Sequence, residues 1–257
     1  MSNNPHVEKT LPAAPSPPGP PAEPRSRLSR ILDWLEPLLL IVVPVVLAAS
    51  IIFEFKQTAL LSAMVAMVAL LPFFLRFENT SVKPRDIMPI VVMAALAVAL
   101  RIVMTPVFYL SPVSAMVIIS GLGFGKRSGF MTGALIAIVS NLFLSQGPWT
   151  PWQMYNWGLM GYLAGAIADK EFMKKRWQVC VFGAIMSLFY NVVMDTYSAF
   201  GFMGASSSQS IAAVYLAGLS YGASHVFSTV VFLFLIYKPW MLKFTRIKAK
   251  YGIGETI

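Results

Sequence analysis

Residues 87–107 read IMPIVVMAALAVALRIVMTPV, and the one ionisable side chain in this stretch is Arg101. A helix rises 1.5 Å per residue and the hydrocarbon layer of a bilayer is about 30 Å thick, so a crossing needs roughly 20 predominantly apolar residues. This run meets that requirement and predicts a transmembrane helix. The rest of the chain repeats the pattern. Before it come apolar runs at 35–53 and 58–75; after it come 113–122, 128–144, 153–168, 177–200 and 211–237. Eight spans are expected. The fourth, 113–122, is too short to cross alone and needs loop residues or neighbouring helices to cover its ends.

Composition agrees with a lipid environment. The chain is 57% hydrophobic and 12% charged, whereas a soluble domain carries about 25% charged residues. A net charge of +9 does not mark a nucleic-acid binder, because the basic residues fall in short clusters between apolar runs rather than along one stripe. Those clusters are Lys9 to Arg30, Arg76 to Arg85, Lys126–Arg127, Lys170 to Arg176, and Lys238 to Lys250; together they hold eighteen of the twenty Lys and Arg residues, all on one side of an eight-span topology. The positive-inside rule makes that side cytoplasmic and places both termini there, in a bacterial-type inner membrane. Lys56 alone lies in an opposite-side loop.

The start of the chain lacks the pattern of a secretory signal. Residues 1–30 instead contain TLPAAPSPPGPPAEP and are expected to form a disordered, proline-rich cytoplasmic tail. Residues 31–84 are expected to hold two accessory transmembrane helices, 85–240 a six-helix membrane core, and 241–257 a basic cytoplasmic tail. The fold class is all-α membrane protein. The outer loops, 105–112, 145–151 and 201–210, carry no charge and are rich in Pro, Gly, Ser and aromatic residues. They read as caps over the core rather than solvent spacers.

An ionisable group inside a span is a functional hypothesis by default, because burying it unpaired costs at least about 2.5 kcal/mol. Three need explaining: Arg101, Asp195 and His225. Arg101 lies 16 residues beyond Arg85 and Asp195 lies 18 beyond Trp177, rises of roughly 24 and 27 Å. Both reach the outer half of the membrane, where they can form an ion pair or face a common cavity, with Asn141, Asn191 and Tyr197 at a similar level. His225 sits near mid-membrane. The string QGPWTPWQ at 146–153 is the most distinctive stretch. Its prolines and glycine fix the backbone, and Trp149 and Trp152, with Trp157 beyond, supply large rings for an interfacial belt or for a lid over a ligand. Gln146 and Gln153 frame it.

Small residues four apart, at Ala95/Ala99, Gly133/Ala137 and Gly161/Gly165, permit close helix approach. Catalytic chemistry finds little support. There is one cysteine, Cys180, and two histidines, with no His-Glu-x-x-His pair, no second intramembrane carboxylate and no Walker-type loop. No metal, catalytic residue or resident cofactor is expected, and ATP would have to be used by another subunit.

The stretch from Arg85 to Ala168 resembles the substrate-binding S component of energy-coupling factor (ECF) vitamin importers. The resemblance rests on Ala95 and Ala99 in its first helix, GLGFG at 121–125 before Lys126, GFMTGA at 129–134, Ser140-Asn141, and the 146–153 string. It implies a six-helix vitamin-binding subunit whose pocket opens outward. It also implies docking through Ala95 and Ala99 onto a transmembrane coupling subunit with two ATPases. The tryptophan-rich form looks most like members associated with cobalamin or related corrinoids. The two extra N-terminal spans depart from the family pattern. The expected ligand-contact set is Arg101, Asn141, Gln146, Trp149, Trp152, Gln153, Asn191, Asp195 and His225. The rival reading is a membrane enzyme acting on a lipid or isoprenoid, centred on Asp195.

Overall fold

The computed structural model describes residues 84–108, 110–203 and 207–253, with isolated positions between 38 and 71. The proline-rich tail and the two accessory helices expected before residue 84 lie outside the described residues, apart from those positions. Six helices make up the described bundle: α1 (Pro84–Phe108), α2 (Val113–Phe124), α3 (Lys126–Leu144), α4 (Thr150–Ala166), α5 (Arg176–Thr196) and α6 (Ser208–Tyr251). A 3₁₀ turn, Glu171–Met173, precedes α5, and a π-helical turn, Tyr197–Phe202, extends it.

Four segments are long and apolar enough to cross a bilayer: Asp86–Thr105, Lys126–Leu144, Arg176–Phe200 and Ser208–Tyr251. The chain is a multi-pass, all-α membrane protein. The short span expected at 113–122 is a 12-residue helix, which rises about 18 Å and cannot cross by itself. Every residue from Val113 to Gly123 is buried. Its neighbours α1, α3, α4, α5 and α6 enclose it, which is how a helix too short for the bilayer is tolerated inside one.

One residue, Gly125, joins α2 to α3. Its φ of +92° lies where an L side chain is strained, so the reversal depends on glycine. Further along, α3 and α4 touch backbone to backbone. A methyl group built on Gly161 would stand 2.5 Å from the carbonyl carbon of Gly129 and 2.9 Å from its Cα. The pairs Gly133/Ala137 and Gly161/Gly165 therefore serve internal packing. Ala95 and Ala99 differ: both are exposed on α1, beside exposed Val91, Val92, Leu96 and Val103.

The last helix is longer than its apolar run. It continues unbroken through Pro239 to Tyr251, so the boundary expected at residue 240 falls inside it. Contacts among helix ends define a basic end of the bundle. There the Lys126 backbone lies against Gly165, Tyr237 donates to the Met173 carbonyl at 3.0 Å, and Lys248 sits over the Phe124 ring. On another face, the Tyr155 hydroxyl donates to the carbonyl of Leu40 at 2.6 Å, which fastens a piece of the N-terminal region to α4.

Candidate functional site

In the half of the bundle away from the basic end, polar side chains that no single helix could satisfy converge. Arg101 on α1 is 7% exposed. Its Nη1 donates to Ser140 Oγ and, at 3.0 Å, to Asn141 Oδ1, both on α3. The guanidinium carbon lies 4.7 Å from the centre of the Trp157 ring on α4, a cation–π placement strengthened by the dry surroundings. Tyr190 on α5 and Tyr221 on α6 are within electrostatic range. The Nε and Nη2 donors have no partner among the described residues, and no carboxylate there pairs with the charge. A guanidinium carries five N–H donors, so the cation is held in place by protein but not neutralised by it.

Asn141 is the hub on α3. Its amide nitrogen donates to Thr150 Oγ1 at 2.9 Å and to Gln153 Oε1 at 2.8 Å, tying the first turn of α4 to the site. Gln153 in turn stands beside the Tyr190 side chain. Gln146 accepts from Thr150 Oγ1 at 2.8 Å and donates to the Ile138 carbonyl at 2.9 Å. The 146–153 string is therefore pinned to α3. Trp149 is half-buried with its ring over Gly147. Trp152 is 1% exposed, packed against Tyr197 with ring centres 5.9 Å apart. Trp152 is thus a core residue.

A second limb runs through α2 and α6. The indole N–H of Trp157 donates to Ser114 Oγ at 3.2 Å. Ser114 lies 2.7 Å from His225 Nε2, and His225 Nδ1 lies 3.3 Å from Asn191 Oδ1. With Asn191 Nδ2 already donating to the Ser187 carbonyl, the Asn191 oxygen faces the imidazole and accepts from Nδ1–H. Ser114, having accepted from Trp157, donates to Nε2. A neutral imidazole satisfies every group in this chain. Rings fill the gaps: Tyr190 stacks on Trp157 at 5.0 Å and meets His225 edge-on at 4.9 Å.

Of the expected set, Arg101, Asn141, Gln146 and Gln153 belong to one network, and Asn191 and His225 join it through Trp157 and Ser114. Trp149 and Trp152 flank it. Asp195 stands apart. It forms no ion pair with Arg101, and its carboxylate lies over Gly218 of α6, where an added methyl would stand 2.5 Å from Oδ2. The two groups reach similar depth, as their spacing along the helices requires, but depth says nothing of rotation about a helix axis. Beyond Asp195 the helix widens, with the Met203 N–H bonded to the Ser198 carbonyl five residues earlier. Such π-turns often accompany functional sites.

Ser114, Trp157 and Tyr190 are central here and absent from the expected set. Ser114 was the detectable one, as a hydroxyl opening an otherwise apolar run. Asn156, one turn beyond Trp152, is 1% exposed, yet neither its Nδ2 nor its Oδ1 has a partner among the described residues. Among the described residues no three His, Cys, Asp or Glu side chains are grouped to hold a metal.

Residues 81–241, more than half of the chain, match the model of the family described as ECF-type riboflavin transporter, S component. No curated protein and no solved structure matches the chain.

Proposed function

This chain belongs to the ECF-type riboflavin transporter S component family, and from that premise we propose that it captures a flavin-class vitamin in the Arg101 site and hands it inward. The observation that carries the reading is a buried guanidinium with spare donors, set among stacked aromatic rings and amide side chains. An isoalloxazine has the matching chemistry. It is a flat, largely apolar tricycle suited to an aromatic-walled site, and its pyrimidine carbonyls accept from an arginine fork.

Cobalamin remains the competing ligand. The tryptophans that favoured it are engaged otherwise, Trp152 beneath Tyr197 and Trp157 beneath Arg101, so they argue for no particular macrocycle. The basic end faces the cytoplasm in this account, with both termini inside and the site opening to the opposite surface. Uptake then requires partners: a transmembrane coupling subunit docking on the exposed Ala95/Ala99 face of α1, and two ATPases supplying the energy. The chain needs no cofactor for this work; the vitamin is cargo.

The test is the ligand carried by the protein itself. Protein purified in mild detergent is exposed to an equimolar mixture of riboflavin, cobalamin, biotin and folate, washed, and examined by mass spectrometry. Riboflavin retained at about one per chain is expected. Retention of cobalamin in its place would overturn the flavin assignment, and retention of none would overturn ligand capture.

A further inference from the structure

At the basic end, well away from Arg101, the first turns of α1 and the last turns of α6 leave an apolar groove. Met88 and Val92 form one wall, Phe124 the floor, and Trp240, Phe244 and Tyr251 the other wall. The α6 side follows from its sequence: in KPWMLKFTRIKAKY, residues 238–251, the apolar groups at 240, 244, 247 and 251 recur at helical spacing, and four of the residues between are Lys or Arg. Such a helix lies at a membrane surface, apolar face in and cations out.

The cations are arranged around the groove. Lys243 Nζ lies 5.4 Å from the Trp240 ring centre, Lys250 lies 5.3 Å from that of Tyr251, and Lys248 lies 6.0 Å from that of Phe124. All three rings line the groove, so three ammoniums ring one apolar mouth. None of the three is ion-paired among the described residues. Met88 and Val92 are 59% and 52% exposed, so the groove opens sideways to the surroundings of the bundle. An occupant must bring an apolar tail and an anionic head together.

We propose that this groove is a binding site for one anionic phospholipid of the leaflet at the basic end, with an acyl chain between α1 and α6 and the phosphate held by Lys243, Lys248 and Lys250. Charge complementarity selects the lipid over an apolar protein segment, which would leave three ammoniums without counter-charge. Basic pockets between transmembrane helices hold lipid head groups by the same balance. The site is separate from vitamin capture and does not depend on the ligand there.

The experiment is native mass spectrometry of the full chain released from nanodiscs made of equal parts phosphatidylglycerol and phosphatidylcholine. The wild type is expected to keep one phosphatidylglycerol in preference to phosphatidylcholine. The triple change K243Q/K248Q/K250Q should reduce that preference at least tenfold, since each cation near an anionic head group contributes about a fivefold preference. Val92→Phe, which fills the mouth without touching a lysine, should lower retention of either lipid. Equal retention of both lipids by the wild type would overturn the proposal, as would a triple variant that keeps the preference. A photo-crosslinker at Val92 that labels a coupling subunit and never lipid would likewise overturn it.

Discussion

Replacing Gly161 by alanine places a methyl group 2.5 Å from the Gly129 carbonyl carbon and 2.9 Å from its Cα. Ordinary contact begins at about 3.4 Å, so α4 must move from α3 by roughly 1 Å. Both obstacles are backbone in the middle of helices and cannot rotate aside. Overpacking of this kind costs about 1–3 kcal/mol; helix propensity returns less than about 1 kcal/mol, so the sum stays unfavourable. At about 2–4 °C per kcal/mol for a chain of this size, thermal unfolding in detergent should fall by several degrees. The displaced α4 carries Gln153 and Trp157, so ligand affinity should fall as well. Gly222→Ala is the control. The nearest atoms to its added methyl are those of the Asn191 side chain at 3.5 Å, an ordinary contact. That variant should melt at or above the wild-type temperature. Equal stability of Gly161→Ala and wild type, or equal loss in both variants, would refute the packing argument.

Other outcomes follow from the same geometry. Asn141→Ala removes the shared partner of Arg101, Thr150 and Gln153. Leaving buried polar groups unsatisfied costs about 1–3 kcal/mol each, so both melting temperature and ligand affinity should drop in a titration and a thermal scan. Trp152→Ala, at a site 1% exposed, should cost about 3–5 kcal/mol and reduce the yield of folded protein. Trp149→Ala, at a half-buried position, should leave insertion intact and shift the melt less. Ala95→Leu with Ala99→Leu changes only an exposed face; vitamin binding by the purified chain should persist while uptake in cells with the coupling module is lost.

The architecture was legible because lipid imposes one dominant rule on sequence, a run of apolar residues of bilayer length. That rule found α1, α3, α4, α5 and the apolar part of α6 to within a few residues. It misjudged the end of α6, where the decisive signal was the helical spacing of Trp240, Phe244, Ile247 and Tyr251 rather than mean hydropathy. Within the site, the rarity of polar groups in spans exposed Arg101, Asn141, Asn191 and His225. The rotation of each helix was not legible, so Asp195 was grouped with Arg101 by depth alone. Ser114 and Tyr190 are ordinary residues in apolar segments, and their importance comes from facing Trp157 and His225 across helix boundaries.

The central claim is that an unneutralised Arg101 at the heart of a six-helix S component holds a flavin. The direct measurement is titration of purified protein with riboflavin, read by quenching of its fluorescence, for wild type, Arg101→Lys and Arg101→Met. The wild type should bind one riboflavin per chain. Arg101→Met removes a charge-assisted hydrogen bond worth about 1.5–3 kcal/mol, so its Kd should rise roughly 10- to 150-fold, with Arg101→Lys between the two. No riboflavin binding by folded wild type, or the same Kd in all three proteins, would contradict the account.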